Sequence, residues 1–174
     1  ETFNGSTWTE ATALTTGREK PGNSTLGSIT ASLVFGGVGP SPPSAVLDAT
    51  ETYNGTGWTT ETALTQARSG MGGAGTSTAA LCIAGYGPGQ VPHYSLVEEW
   101  NGTAWTEIQN TTTGGAEFGS AGTTTSAIIY GGQRPSAGKL TEQWNGTSWT
   151  EVADLAANNQ GCGSSGVSGS GALR

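Results

Sequence analysis

The chain has 174 residues, 30 of them glycine, with charged residues at only 11% and a formal net charge of −7. That length leaves room for one packed domain or a ring of small repeats, and the scattered cations Arg18, Lys20, Arg68, Arg134, Lys139 and Arg174 do not supply the clustered charge that a nucleic-acid partner requires. No run approaches the length of apolar sequence that spans a membrane as a helix, and none reads as a signal peptide.

The chain opens on Glu1-Thr-Phe-Asn-Gly-Ser-Thr-Trp8, and the pattern Glu-x-aromatic-Asn-Gly-(Ser/Thr)-x-Trp returns at Glu51–Trp58, Glu98–Trp105 and Glu142–Trp149. The starts are separated by 50, 47 and 44 residues, periods that mark propellers and related arrays. Opening inside a repeat points to a fragment or a processed product of a longer chain. Asn-Gly between two β-prone runs signals a hairpin, with both residues expected at the positive φ of a type I′ turn. The flanking aromatics Phe3 with Trp8, Tyr53 with Trp58, Trp100 with Trp105 and Trp144 with Trp149 then sit on neighbouring antiparallel strands, as the repeat's framework.

Between these hairpins come the apolar runs Ala31–Gly37, Ala79–Tyr86 and Ser126–Gly132, short strands of the kind buried on both faces. Upstream of each lies a small-residue stretch, Gly27–Thr30, Gly72–Thr76 and Gly119–Thr123, suited to an innermost strand near a crowded axis. The tail continues the series in part: Gly161–Val167 matches a first strand and Gly171–Arg174 the start of a second, short of the expected Gly-Gly.

A strand ending in Gly-Gly, a variable loop, then an aromatic and a Trp at this spacing resembles the kelch motif, over essentially the whole chain. The Trp-Asn-Gly-Thr-x-Trp variant also resembles arrays in phage virion and bacterial surface proteins. The resemblance implies an all-β, kelch-like β-propeller of four-stranded blades forming a single domain. It is divided into a half-blade 1–14, blades at about 15–64, 65–110 and 111–155, and a half-blade 156–174. Either the two half-blades close a four-bladed ring, removing exposed edges, or the chain is a slice of a larger propeller.

Catalysis is not expected. His93 is the sole histidine, whereas a hydrolytic triad needs a His beside a nucleophile and a carboxylate. The copper site of galactose oxidase, on a kelch-type propeller, takes Tyr and His ligands that one His cannot reproduce. The recurring Glu1, Glu51, Glu98 and Glu142 are expected to bond a neighbouring blade's backbone rather than hold a metal, and no cofactor is expected. Cys82 and Cys162 read as small buried hydrophobes, with a disulfide between them as the alternative.

Aromatics outside the framework are the candidate ligand-binding residues: Tyr86, Tyr94 and Phe118, with His93 in the loop from Gly87 to Ser95; a second variable loop runs from Val38 to Asp48. Asn4, Asn23, Asn54, Asn101, Asn110 and Asn145 begin glycosylation sequons, though Asn-Gly has its own reason to be in a turn. The expected function is a non-enzymatic structural or adhesive module, extracellular or on a virion, presenting variable loops. Its expected partners are other copies or subunits of a larger assembly, and a glycan. A lectin-like propeller and a kelch-type protein-interaction domain are the alternatives.

Overall fold

A computed structural model describes residues 1–40, 45–91, 93–134 and 138–161. The expected strands of the C-terminal half-blade, Cys162 and any Cys82–Cys162 pairing lie outside the described residues.

Runs of small or β-branched residues broken by glycine turns give short antiparallel strands, and the chain adds them in order. A two-stranded sheet comes first, β1 (Thr2–Phe3) with β2 (Trp8–Thr9). The first four-stranded sheet follows: β3 (Gly22–Asn23), β4 (Ser32–Phe35), β5 (Thr50–Tyr53) and β6 (Trp58–Glu61). The second is β7 (Gly72–Gly75), β8 (Ala80–Tyr86), β9 (His93–Trp100) and β10 (Trp105–Ile108), with a 3-10 turn at Pro88–Gln90. The third is β11 (Gly119–Gly122), β12 (Ala127–Tyr130), β13 (Thr141–Trp144) and β14 (Trp149–Glu151). Every sheet is a meander in chain order, the blade-like arrangement compatible with a propeller.

The hairpin aromatics are directly opposed, Phe3 with Trp8, Tyr53 with Trp58, Trp100 with Trp105 and Trp144 with Trp149, and their rings meet at 5.1 to 5.4 Å. The connection is not the expected two-residue type I′ turn. It is a four-residue loop in which the glycine alone has positive φ, at 99, 94, 93 and 92° for Gly5, Gly55, Gly102 and Gly146. The asparagine instead closes the loop through its side chain: Asn4, Asn54, Asn101 and Asn145 Oδ1 each accept the backbone N–H of the residues two and three further on. This local capping is what short Asx side chains do well.

A second correction concerns the first sheet. Gly27–Thr30 is not the innermost strand there; that place belongs to Gly22–Asn23, and Gly27–Thr30 lies in the hairpin beyond it. Ser24 is followed by Thr25, Leu26 and Gly27 before the turn that Ser28 closes on Ala31, where the other sheets have Gly75 or Gly122 alone before theirs. The extra length carries Leu26 to the second sheet, where its N–H donates to the Gly75 carbonyl at 2.8 Å.

The sheets pack face to face. Trp105 of the second sheet stacks edge-on against Phe35 of the first at 5.0 Å, in a cluster with Leu33, Met71, Cys82 and Trp100. Trp144 and Trp149 of the third join Leu81, Ile83, Val97 and Phe118 in the next. Inner strands run so close that a Cβ on Gly73 would lie 2.0 Å from the Asn23 carbonyl oxygen. A Ser120 hydroxyl takes the Gly73 N–H at 3.0 Å from the other side. Cys82 is a buried free thiol, and burial pushes it up to about 12.

Candidate binding surfaces and the framework that holds them

The segment that enters each four-stranded sheet is tied down by the repeat's glutamate. Glu51, Glu98 and Glu142 are buried, and each accepts a backbone N–H from the incoming segment: Thr15 at 2.7 Å, Thr65 at 2.8 Å and Thr112 at 2.7 Å. The other carboxylate oxygen meets a guanidinium, from Arg18, Arg68 and Arg134 respectively, with all six side chains at 0 to 1% exposure. These carboxylates serve three separate junctions rather than one metal-binding ring. Among the described residues no group of three His, Cys, Asp or Glu is placed to hold a metal ion.

A buried charge without partners is costly, and most of the remaining donors are matched, with Arg68 Nε and Arg134 Nη2 left buried without one. Arg18 Nη1 donates to the carbonyls of Gly36 and Ala49, and Arg68 Nη1 to those of Ala84 and Leu96. At Glu51, burial alone would raise the carboxyl, but hydrogen bonds from Thr15 and the Arg18 charge outweigh it and hold it below its usual range.

The third junction reaches the same end by another route. Gly37, Gly85 and Gly132 donate their N–H to the carbonyls of Arg68, Gly115 and Asn159, which makes Gly115 the counterpart of Arg68. The missing guanidinium comes from Arg134, on the far side of β12, which also donates to the Gly131 and Thr113 carbonyls. A Cβ on Gly115 would lie 2.7 Å from Arg134 Cγ, so the arginine fills the space that a side chain at 115 would take.

Two residues beyond Arg18, Arg68, Gly115 and Asn159, four positions repeat the left-handed backbone: Lys20 at φ 48°, Gly70 at 63°, Glu117 at 55° and Gly161 at 63°. They are chained by backbone hydrogen bonds, Gly70 N–H to Lys20 O, Glu117 N–H to Gly70 O and Gly161 N–H to Glu117 O, at 3.0, 2.8 and 3.1 Å. The alternate pair carries side chains, and Lys20 Nζ meets Glu117 Oε1 at 2.7 Å. Gln133 Nε2 donates to the second Glu117 oxygen at 2.9 Å.

Of the residues singled out for ligand binding, Tyr86 and His93 come together with rings 5.0 Å apart, beside Lys20 at 6.0 Å from the Tyr86 ring. Tyr86 is 3% exposed; burial, and then the Glu117 carboxylate, push its phenol up. Phe118 is 5% exposed, packed under the Arg134 guanidinium at 5.2 Å. His93 and Tyr94 open β9 rather than lying in a loop, because β8 runs on through a bulge at Ala84–Gly85 to pair Tyr86 with His93. The sequon asparagines are all exposed, and Asn110 Oδ1 accepts the Val97 N–H at 3.2 Å.

Large exposed aromatics occur instead in the framework set, where sequence reasoning assigned only packing: Phe3 is 45% and Trp8 67% exposed. Together with Tyr53 and Trp58 they border a cleft of about 600 Å³ between the two-stranded sheet and the first four-stranded one. Asn23, Ser28 and Thr25 also line it, and the Thr25 hydroxyl is buried without a partner.

No protein-family model and no curated protein matches this chain. A solved structure described as "Structure of YjhT" is similar, with a TM-score of 0.64 and 11% sequence identity over 82% of this chain and 54% of that one. The likeness is one of fold. The chain spans about half the length of that relative, and among the described residues no helix is long and apolar enough to cross a membrane.

Proposed function

We propose that the chain is a kelch-type propeller of four blades and serves as a non-enzymatic structural or adhesive module on a virion or cell surface. The observation that carries this reading is the division between framework and loops. Three junctions hold the same buried Arg–Glu arrangement, while the loops they support differ in length and residue type, from Val38–Asp48 to Gly87–Val91. A rigid frame with divergent loops is how such scaffolds place recognition residues. The four chained left-handed positions, one for each blade, favour four blades closed by the half-blades 1–14 and 156–174 over a slice of a larger ring.

Exchanging residues 87–91 for a Gly/Ser segment of equal length tests the display reading. Retention of the labelled protein on intact bacterial cells or purified virions is expected to fall at least tenfold, with the unfolding midpoint unchanged. Undiminished retention would refute it.

A second reading, a carbohydrate-binding propeller, is favoured by the cleft, where aromatic faces for stacking stand beside Asn, Ser and Thr. A glycan array probed with the wild type and with Tyr53→Ala decides it: binding lost in the variant supports this reading, and an empty wild-type array sinks it.

A further inference from the structure

The tryptophans that end the hairpin loops of the second and third four-stranded sheets take the same place on the sheet before, whereas Trp58 donates its Nε1–H to the Thr12 carbonyl at 3.0 Å. Trp105 Nε1 donates to Thr50 Oγ1 at 2.9 Å in a buried bond, with its ring against Phe35. By strand register Thr50 corresponds to Val97 in the second sheet and Thr141 in the third, since Tyr53, Trp100 and Trp144 occupy one position. Trp149, which packs on the second sheet, finds Val97 there and its Nε1 is buried without a partner. Thr141 is the mirror case, a hydroxyl buried without a partner on a sheet that no described tryptophan covers. Trp8, the counterpart of Trp105, is 67% exposed.

We propose that the Thr141 hydroxyl and the exposed Trp8 indole are halves of one seam: the two-stranded sheet of the same chain docks on the third sheet, with Trp8 Nε1–H donating to Thr141 Oγ1. This rests on the four-blade reading. Phe3 and Trp8 then take the places of Trp100 and Trp105, and Ile128 and Tyr130 those of Leu33 and Phe35. Leu155, 8% exposed at the end of the third sheet, takes that of Leu64. A buried hydroxyl lacking a partner is a liability that a native chain seldom leaves, and an indole with a wet edge is the kind of group that resolves it. The occupant is this chain's own half-sheet because Lys20 reaches Glu117 within one chain at 2.7 Å and Gly161 already holds the fourth left-handed position.

Hydroxyl-radical footprinting of the full chain, read by mass spectrometry at Trp8 and Trp105, tests the seam. Trp8 protected to within twofold of Trp105, in a protein that light scattering shows to be monomeric at every concentration, is the expected result. Trp8 oxidised many-fold faster overturns it, and protection that appears only in dimers overturns the assignment to the same chain. In urea titrations, Thr141→Val is expected to lower the folding constant about fivefold in the wild type and not in a Trp8→Phe background. A neutral or stabilising Thr141→Val would mean that the hydroxyl is an orphan in solution also, and overturns the seam. A zero-length carbodiimide cross-link between Lys20 and Glu117 separates the two readings. Its formation with Trp8 exposed leaves the four-blade reading standing and sinks the seam; its absence with Trp8 exposed sinks both.

Discussion

Lys20 and Glu117 lie 97 residues apart and join at 2.7 Å within the series of four hydrogen-bonded left-handed positions, flanked by the glycines at 70 and 161. Their side chains are 45% and 20% exposed, so solvent screens the pair and its worth stays below about 1 kcal/mol. The Arg68–Glu98 pair has no exposure at all, and removing one partner strands a buried charge at a cost of about 3–5 kcal/mol. Lys20→Met is therefore expected to shift the urea midpoint little, and Arg68→Met to shift it severely. Equal shifts would mean that burial does not set the strength of these pairs.

The guanidinium of the third junction should be movable along the chain. Arg134→Ala leaves Glu142 buried and unpaired, and a loss of about 3 kcal/mol or more is expected. Adding Gly115→Arg should recover at least half, because the space occupied by Arg134 Cγ is then vacant and position 115 is where Arg18 and Arg68 enter. Urea unfolding of the single and double variants checks this; a double variant no better than Arg134→Ala would show that the two backbones are not equivalent.

Trp149 Nε1 lacks the hydroxyl that Thr50 gives Trp105. Val97→Thr supplies one at nearly constant volume, and the hydrogen bond should raise stability by about 1 kcal/mol. A thermal midpoint lowered by the change would mean that the new hydroxyl fails to reach the indole and is itself buried unpaired.

Glu51 is held below its usual carboxylate range in the folded chain. A group with a depressed folded-state value adds stability that is complete above its unfolded value, about 4.3, and lost as pH falls through the folded one. Glu51→Gln should thus be clearly less stable than wild type at pH 7, with the gap narrowing below about pH 4. Chemical unfolding at a series of pH values measures it, and a gap that widens in acid would contradict the sign.

Much of the frame was legible in the repeat. The aromatic pairs, the apolar second strands and the glycine turns recur at fixed offsets, and strand pairing needs little more. The Arg–Glu junctions were not seen, although Arg18 and Arg68 each follow a Thr by three residues and precede a recurring Glu by 33 and 30. The third arginine, eight residues from Glu142, breaks the column, since equivalent space can be filled from a different point on the chain. The loop aromatics misled for a related reason: a bulge at Ala84–Gly85 prolongs β8, and nothing in composition separates Tyr86 in a longer strand from Tyr86 in a loop. The exposed Phe3 and Trp8 were hidden by the pattern itself, which gives them the same residue types as their buried counterparts.

Each buried arginine lies in the same repeat as its glutamate: Arg18 with Glu51, Arg68 with Glu98, Arg134 with Glu142. A cut in the gene just after codon 14, 64 or 110 would sever none of these pairs. Every cassette so defined carries both charges of its own lock, whichever position its arginine uses. Duplication, loss or reordering of whole cassettes would strand none of these buried ions, which gives recombination a safe unit and leaves the aromatic faces, the half-exposed Lys20–Glu117 pair and the hydrogen bonds between sheets to be matched between new neighbours.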